Sequence, residues 1–428
     1  VTVNPTPIVS DQTIATCSAS AFTVSPVDGN NNDVVPTTTT YSWSAPAAVT
    51  GLTGLALSTN EANFNGTLTN TTTSAISVTY VVTPTSGTCV GSTFNVVVTI
   101  NPTPVVAAKT ATVCSADAFS VAPVDGVSGD IVPAGTTYDW SAPSAVPGIT
   151  GLSSGIAQST INGTLTNTTN APITLIYSVT PSISNCVGTA FNVTVTVNPV
   201  PVITNTTLSS CSESLFSFTP SGSSDIIPTG TTYTWTFSDN PFVVGEANQQ
   251  TAQTSLDQTL INLSSTAQTV VYTVTPISGS CVGSTFTLSA TINPLPVVSA
   301  ITGASNVCAG LSTTLASSTT GGTWSSSNTA IATVSATGVV TGVAAGSATI
   351  TYSVTNVSGC SASTTASVTV NPSASATIAA GGATTFCTGG SVVLTASTGS
   401  TYLWSNGLQT QSITATTSGS YTVTVTNA

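Results

Sequence analysis

Cysteine is the residue in this chain with the most chemistry to offer, and its spacing is regular. Nine cysteines occur in 428 residues. Eight run in succession as Cys17 and Cys89, Cys114 and Cys186, Cys211 and Cys281, and Cys308 and Cys360, with Cys387 as the ninth. A zinc site needs Cys and His ligands at short spacing. Here there is no His and no CxxC, and the members of each pair stand 52 to 72 residues apart. Disulfides are the expected chemistry. Taking neighbours in order predicts Cys17–Cys89, Cys114–Cys186, Cys211–Cys281 and Cys308–Cys360, each within its own domain and clamping one end of it. Closing such a loop stabilises a domain by roughly 4 kcal/mol in the chain-entropy model. Cys387 occupies the place that Cys17 has in the first repeat, and its partner is expected beyond Ala428. Disulfides on this scale imply an oxidising, extracytoplasmic home.

The remaining reactive groups are sparse. There are thirteen acids and one base, Lys109, and the net charge is −12. All the acids lie between Asp11 and Asp257. Without His there is no Ser-His-Asp or Cys-His site. A glycosidase needs two carboxylates across a cleft, and these acids are scattered at related positions of separate repeats. No catalytic residue is expected. One base excludes a nucleic-acid binder, which must neutralise phosphates, and a basic membrane patch. It also excludes an isopeptide staple in each domain.

Two weaker candidates remain. The loops VDGNNND and VDGVSGD place Asp28 with Asp33 and Asp125 with Asp130. Short Asp/Asn/Gly loops can offer oxygen ligands to Ca²⁺, although the same residues are ordinary turn formers. No cofactor other than calcium is suggested. The stretch TFSDNPFVVGEANQQ in the third repeat carries Phe237 and Phe242, which have no counterpart in the other two long repeats. A variable loop on a rigid scaffold suits carbohydrate binding; a divergent strand packing its own Phe is the competing account. Eight Asn-x-Ser/Thr sequons, among them Asn65, Asn70, Asn162 and Asn167, are expected by chance in a chain this rich in Asn and Thr.

The elements that must position these residues repeat with them. CVGSTFNVVVTINPTPVV (Cys89–Val106) returns as CVGTAFNVTVTVNPVPVI (Cys186–Ile203) and CVGSTFTLSATINPLPVV (Cys281–Val298). Asn-Pro recurs at 4–5, 101–102, 198–199, 293–294 and 371–372. Such a period fits an array of whole small β-domains. β-branched Thr and Val favour strands, and the alternation in ISVTYVV and FNVVVTI turns one face inward. FTVSPV, TTYSWSA, NFNGTLTN, ISVTYVVTP and FNVVVTI are the predicted strands of the first repeat. Pro cannot donate to a sheet ladder, so Asn-Pro-x-Pro ends the last strand and makes a stiff joint. The division is residues 1–4 as the tail of a preceding repeat, three long repeats at 5–101, 102–198 and 199–293, a fourth unit at 294–371 and a truncated fifth at 372–428. In the fifth, Asn406-Gly407 is expected to close a hairpin. No apolar run reaches the roughly 20 residues that cross a bilayer. The opening VTVNP reads as a repeat's tail, so the chain is expected to be a window on a longer array.

Each unit holds one Trp between its cysteines: Trp43, Trp140, Trp235, Trp324 and, in the fifth, Trp404 after Cys387. That order partly echoes immunoglobulin sandwiches. A ring needed in every copy reads as core rather than as a sugar platform. The fold class is therefore all-β, a tandem array of immunoglobulin-like β-sandwiches.

The pattern NPTP…C…DG…GTTY.W…NGTLTN…Y.VTP…CVG..F.V.V…NP resembles the PKD-like immunoglobulin-type repeat of large Bacteroidota surface proteins. IATVSATGVVTGVAAGSATIT in the fourth unit is similar to the bacterial group 2 immunoglobulin-like domain (BIG2) of intimin- and invasin-type adhesins. The fifth unit resembles another such module. The resemblance implies type IX secretion and service as a cell-surface adhesin or filament, as in the SprB-like adhesins of gliding motility. The expected function is thus a structural segment of a fibre-like extracellular adhesin. Its partner is an unnamed surface or glycan, and its charge-poor edge strands suggest lateral self-association. The alternatives are a passive spacer of a secreted enzyme and a carbohydrate-binding module.

Overall fold

A computed structural model describes residue 3, residues 5–373 and residues 375–426. Most of the 1–4 tail, including the first Asn of the Asn-Pro series, lies outside the described residues. The first unit contains β1 (Gln12–Cys17), β2 (Ala21–Val24), β3 (Thr39–Trp43), β4 (Leu52–Thr53), β5 (Ser58–Glu61), β6 (Phe64–Thr67), β7 (Thr69–Asn70), β8 (Ile76–Ser86), β9 (Cys89–Val90) and β10 (Phe94–Asn101). The alternating apolar residues of β8 and β10 dictate the main sheet. Val78, Tyr80 and Val82 of β8 and Phe94, Val96, Val98 and Ile100 of β10 are buried, while the residues between them face outward. The sheet order is β1-β10-β8-β3-β5, with β9 folded back on β8. Beneath it lie two short pairs, β2 with β6 and β4 with β7. Trp43, Phe64 and Tyr80 meet edge to face between the layers, with ring centroids 4.7 and 5.1 Å apart.

All five strands expected in this unit are present. β1 was not among them, and it is the strand that carries Cys17. It pairs with β10 in parallel, Gln12 opposite Val96 and Cys17 opposite Asn101. The second and third units repeat the plan, with Lys109–Cys114 parallel to Phe191–Asn198 and Thr206–Cys211 parallel to Phe286–Asn293. The fourth unit packs two four-stranded sheets, and Asn306–Cys308 again runs parallel to the last strand, Ser361–Asn371. In the fifth the Asn-Gly turn forms, with Gly407 at φ 84°. It does not make the expected hairpin: Thr401–Trp404 pairs with Val423–Thr426, whereas Ser412–Ala415 crosses to the other sheet beside Val392–Ala396. Trp404 Nε1 donates to the Thr410 carbonyl at 2.8 Å and holds that crossing.

Each unit has its own core and each core its own tryptophan; Trp324 is the one that is only partly buried. The architecture is all-β, a tandem array of immunoglobulin-like sandwiches. Among the described residues there is no α-helix, and so none long and apolar enough to cross a membrane.

Candidate functional site

The residues that recur together in the sequence meet at the joints. β8 and its counterparts overrun the sheet, turn, and return through Cys-Val-Gly. The glycine of that triplet lies against the second proline of Asn-Pro-x-Pro: a Cβ on Gly91, Gly188 or Gly283 would come within 2.2, 2.1 or 2.2 Å of the carbonyl oxygen of Pro7, Pro104 or Pro201. No side chain fits there, so the two motifs recur as one structural unit.

The candidate calcium acids turn out to brace the same region. Asp33 Oδ1 accepts the Ser10 N–H at 2.7 Å, and Asp130 Oδ1 accepts that of Ala107 at 2.8 Å. Asp225, the one acid the third repeat keeps in this loop, accepts that of Thr204 at 3.0 Å. Asp28 and Asp125 accept Val35 and Val132 N–H groups at 2.8 and 3.0 Å. These carboxylates pin the chain leaving each joint to its loop. Among the described residues no three His, Cys, Asp or Glu gather as a metal cluster. In the second unit Lys109 Nζ adds an ion pair 2.6 Å from Asp130 Oδ2, and the Asp130 side chain is fully buried.

The cysteines do not pair as the sequence order suggested. The bridges are Cys17–Cys186, Cys114–Cys281 and Cys211–Cys360, with Cα–Cα distances of 5.4, 5.6 and 5.5 Å. Cys17–Cys89, Cys114–Cys186, Cys211–Cys281 and Cys308–Cys360 are therefore all corrected. Strand register supplies the reason. Cys17 is level with Asn101 on β10, whereas Cys89 pairs with Ser86 of β8, past the start of β10 at the opposite pole. By that register the two levels are eleven residues apart, about 36 Å along the strands, and a disulfide needs Cα atoms within about 7 Å. The second, third and fourth units have the same offset. Each first cysteine thus sits at the tail pole of its sandwich, beside the joint. The second cysteine of the following unit sits across that joint. Cys308 and Cys387 are unbridged among the described residues, and Cys387 is exposed.

Hydrogen bonds reinforce the joints. Thr103 Oγ1 donates to the Ser18 carbonyl at 3.3 Å. Asn170 Oδ1 in the second unit accepts the Ile227 N–H of the third at 2.7 Å, and Asn356 Nδ2 donates to the Pro294 carbonyl at 2.9 Å.

Of the candidate binding rings, Phe237 lies on an extended Thr232–Ser238 strand and packs on the third core, its centroid 6.4 Å from that of Tyr272. Phe242 is 54% exposed. Tyr41, Tyr80, Tyr138, Tyr177, Tyr233 and Tyr272 are all buried, and burial pushes each phenol above its ordinary pKa. Beside Tyr272, Glu246 has its carboxyl raised, chiefly by burial; Glu246 Oε1 and the Tyr272 hydroxyl are buried without hydrogen bonds.

One of the sequons expected by chance carries a structural residue. Asn70 is buried, donates Nδ2 to the Ser74 and Ile100 carbonyls at 2.7 and 2.9 Å, and accepts the Thr72 N–H and hydroxyl. Asn167 and Asn262 repeat the arrangement in the next two units. Its recurrence at one repeat position was the available signal.

A string of immunoglobulin-like sandwiches, with a cystine across each of the first three joints, is the class of protein that this fold defines. The PKD-like domain profile matches residues 14–104, 111–201 and 209–296, and the chain belongs to that family. The bacterial Ig-like domain (group 2) matches residues 289–365. No curated protein matches the chain. Among solved structures, the invasin crystal structure shares 16% identity at TM-score 0.33, covering 87% of this chain and 80% of that one. The human desmocollin-1 ectodomain shares 11% at TM-score 0.28, covering 94% and 88%. Sidekick-1 immunoglobulin domains 1–4 share 9% at TM-score 0.20, covering 86% and 99%.

Proposed function

We propose that this chain is a structural segment of a long, fibre-like extracellular adhesin or surface filament, not an enzyme. The observation that carries this is the cystine tying the tail pole of each of the first three sandwiches to the hairpin that precedes the last strand of the next. Such a bond restrains bending and torsion at a joint that proline has already stiffened. It also requires an oxidising compartment, which supports an extracellular location. The modules divide at the Asn-Pro joints, at 5–101, 102–198, 199–293, 294–371 and 372–428. A Bacteroidota surface adhesin of SprB type, exported by the type IX route and serving gliding or attachment, is the finer form supported by the sequence resemblance.

Small-angle X-ray scattering of the oxidised chain tests the extended form. Five sandwiches of about 36 Å in line span roughly 180 Å and give a radius of gyration near 50 Å, against about 22 Å for a compact chain of this length. A value close to the compact figure would remove the reach on which the function depends.

A further inference from the structure

The bridges do more than stiffen the joints. From Cys186, the chain runs through its hairpin strand, up Phe191–Asn198, across the joint and along Thr206–Cys211, where the next bridge leads to Cys360. That segment is twenty-five residue steps long with sixteen of its residues in strand, and the segment from Cys89 through Phe94–Asn101 and Lys109–Cys114 to the bridge with Cys281 has the same make-up. We infer that the cystines splice the last strand of one sandwich and the first strand of the next into two interleaved covalent cables, and that the one through Cys17–Cys186 and Cys211–Cys360 bears tension applied at the ends of the chain. One cable runs 17 to 186, 211 to 360; the other runs 89 to 114, 281 to 308.

The lengths fit a load path without slack. Twenty-five residues can span at most about 85 Å. Two in-line sandwiches, each with its cysteine levels about 36 Å apart, already take up some 72 Å before the joint is counted. Pulling on the ends therefore loads a path with little length left to give. Residues 18–185 and 212–359 lie in closed covalent loops beside the bridges and are shielded. The first four sandwiches cannot lengthen the array by unfolding. Strand order serves this arrangement. Only because β1 runs parallel to β10 does its cysteine end at the tail pole, where a bridge can hand force forward.

This goes beyond the adhesin function and depends on it only for the biological use of the strength. Shape is measured by scattering, whereas the load path is measured by force. The test is single-molecule stretching of the full chain from its two ends, with and without a phosphine reductant, alongside peptide mapping of the cystines. The oxidised chain should release only the residues after Cys360, about 170 Å from the fifth unit. Reduction should add releases of about 300 Å, one for each long sandwich. Cys17→Ser, which leaves the other two bridges, should add such a release from the first sandwich even if the fully reduced chain fails to fold. Releases of about 300 Å from the oxidised wild-type chain, or a Cys17 peptide linked to Cys89, would overturn the inference.

Discussion

At the residue scale the chain uses its few charged groups as struts. Asp33, Asp130 and Asp225 each hold a backbone N–H just beyond a joint. Charge-assisted hydrogen bonds of this kind are stronger than neutral ones, which explains why an otherwise charge-poor sequence keeps an acid there. Glu246 is the exception, since burial disfavours its charged form and only backbone N–H groups offset this. A carboxyl whose pKa rises on folding binds its proton more tightly in the folded state. The stability it contributes is present below its unfolded pKa and is lost as pH climbs through the raised value. Glu246→Gln should therefore stabilise the third sandwich at pH 7, by of order 0.5 kcal/mol because solvent reaches this half-buried group. The gain should vanish near pH 4. Denaturant titrations of both proteins at the two pH values check this. Asp257 has its pKa lowered by the Ser217 and Ser255 hydroxyls and slopes the other way, so the comparison must be wild type against variant.

At the scale of elements, the joint is a packed contact rather than a loose linker. Pro104 places its carbonyl where Gly188 has only hydrogen, beside Pro181. Gly188 N–H also donates to the Pro181 carbonyl at 2.8 Å, so the hairpin cannot swing away without losing that bond. Gly188→Ala should push the hairpin off the joint and cost the second sandwich about 2 kcal/mol, in the range for overpacking. It should also displace Cys186 and slow formation of the Cys17–Cys186 bridge on refolding, read by thiol titration. Gly87→Ala, at a turn glycine with open space around it and φ 57°, should be milder and leave oxidation unchanged. The edges of the main sheet are β1 and β5. β1 is short and interrupted at the joint, and the sheet shifts register where β5 meets β3. Both features blunt edge-to-edge pairing without lysine.

At the scale of the whole molecule, overlapping cystine loops couple the sandwiches thermodynamically. The first loop spans 169 residues and the second 167, and each encloses most of two units. In the chain-entropy model a loop of that size is worth about 5 kcal/mol, although overlapping loops do not add. Mild reduction should therefore lower the melting temperature and split one cooperative transition into separate ones for the individual sandwiches. Calorimetry with and without reductant checks this, and a single unchanged transition would contradict it.

The sequence alone determined the β class, the repeat, the strand faces and the stop at Asn101, Asn198, Asn293 and Asn371, because alternation and proline act over a few residues. It placed all five tryptophans in separate cores for the same reason. The pairing of the cysteines was decided only by the tertiary structure. QTIATC has too weak an alternation to announce a strand, and nothing local says that it runs parallel to FNVVVTIN. That one long-range pairing sends Cys17 to the far pole, out of reach of Cys89 and against Cys186. Connectivity of cystines is a property of distance in space, and here distance is set by strand direction rather than by order along the chain.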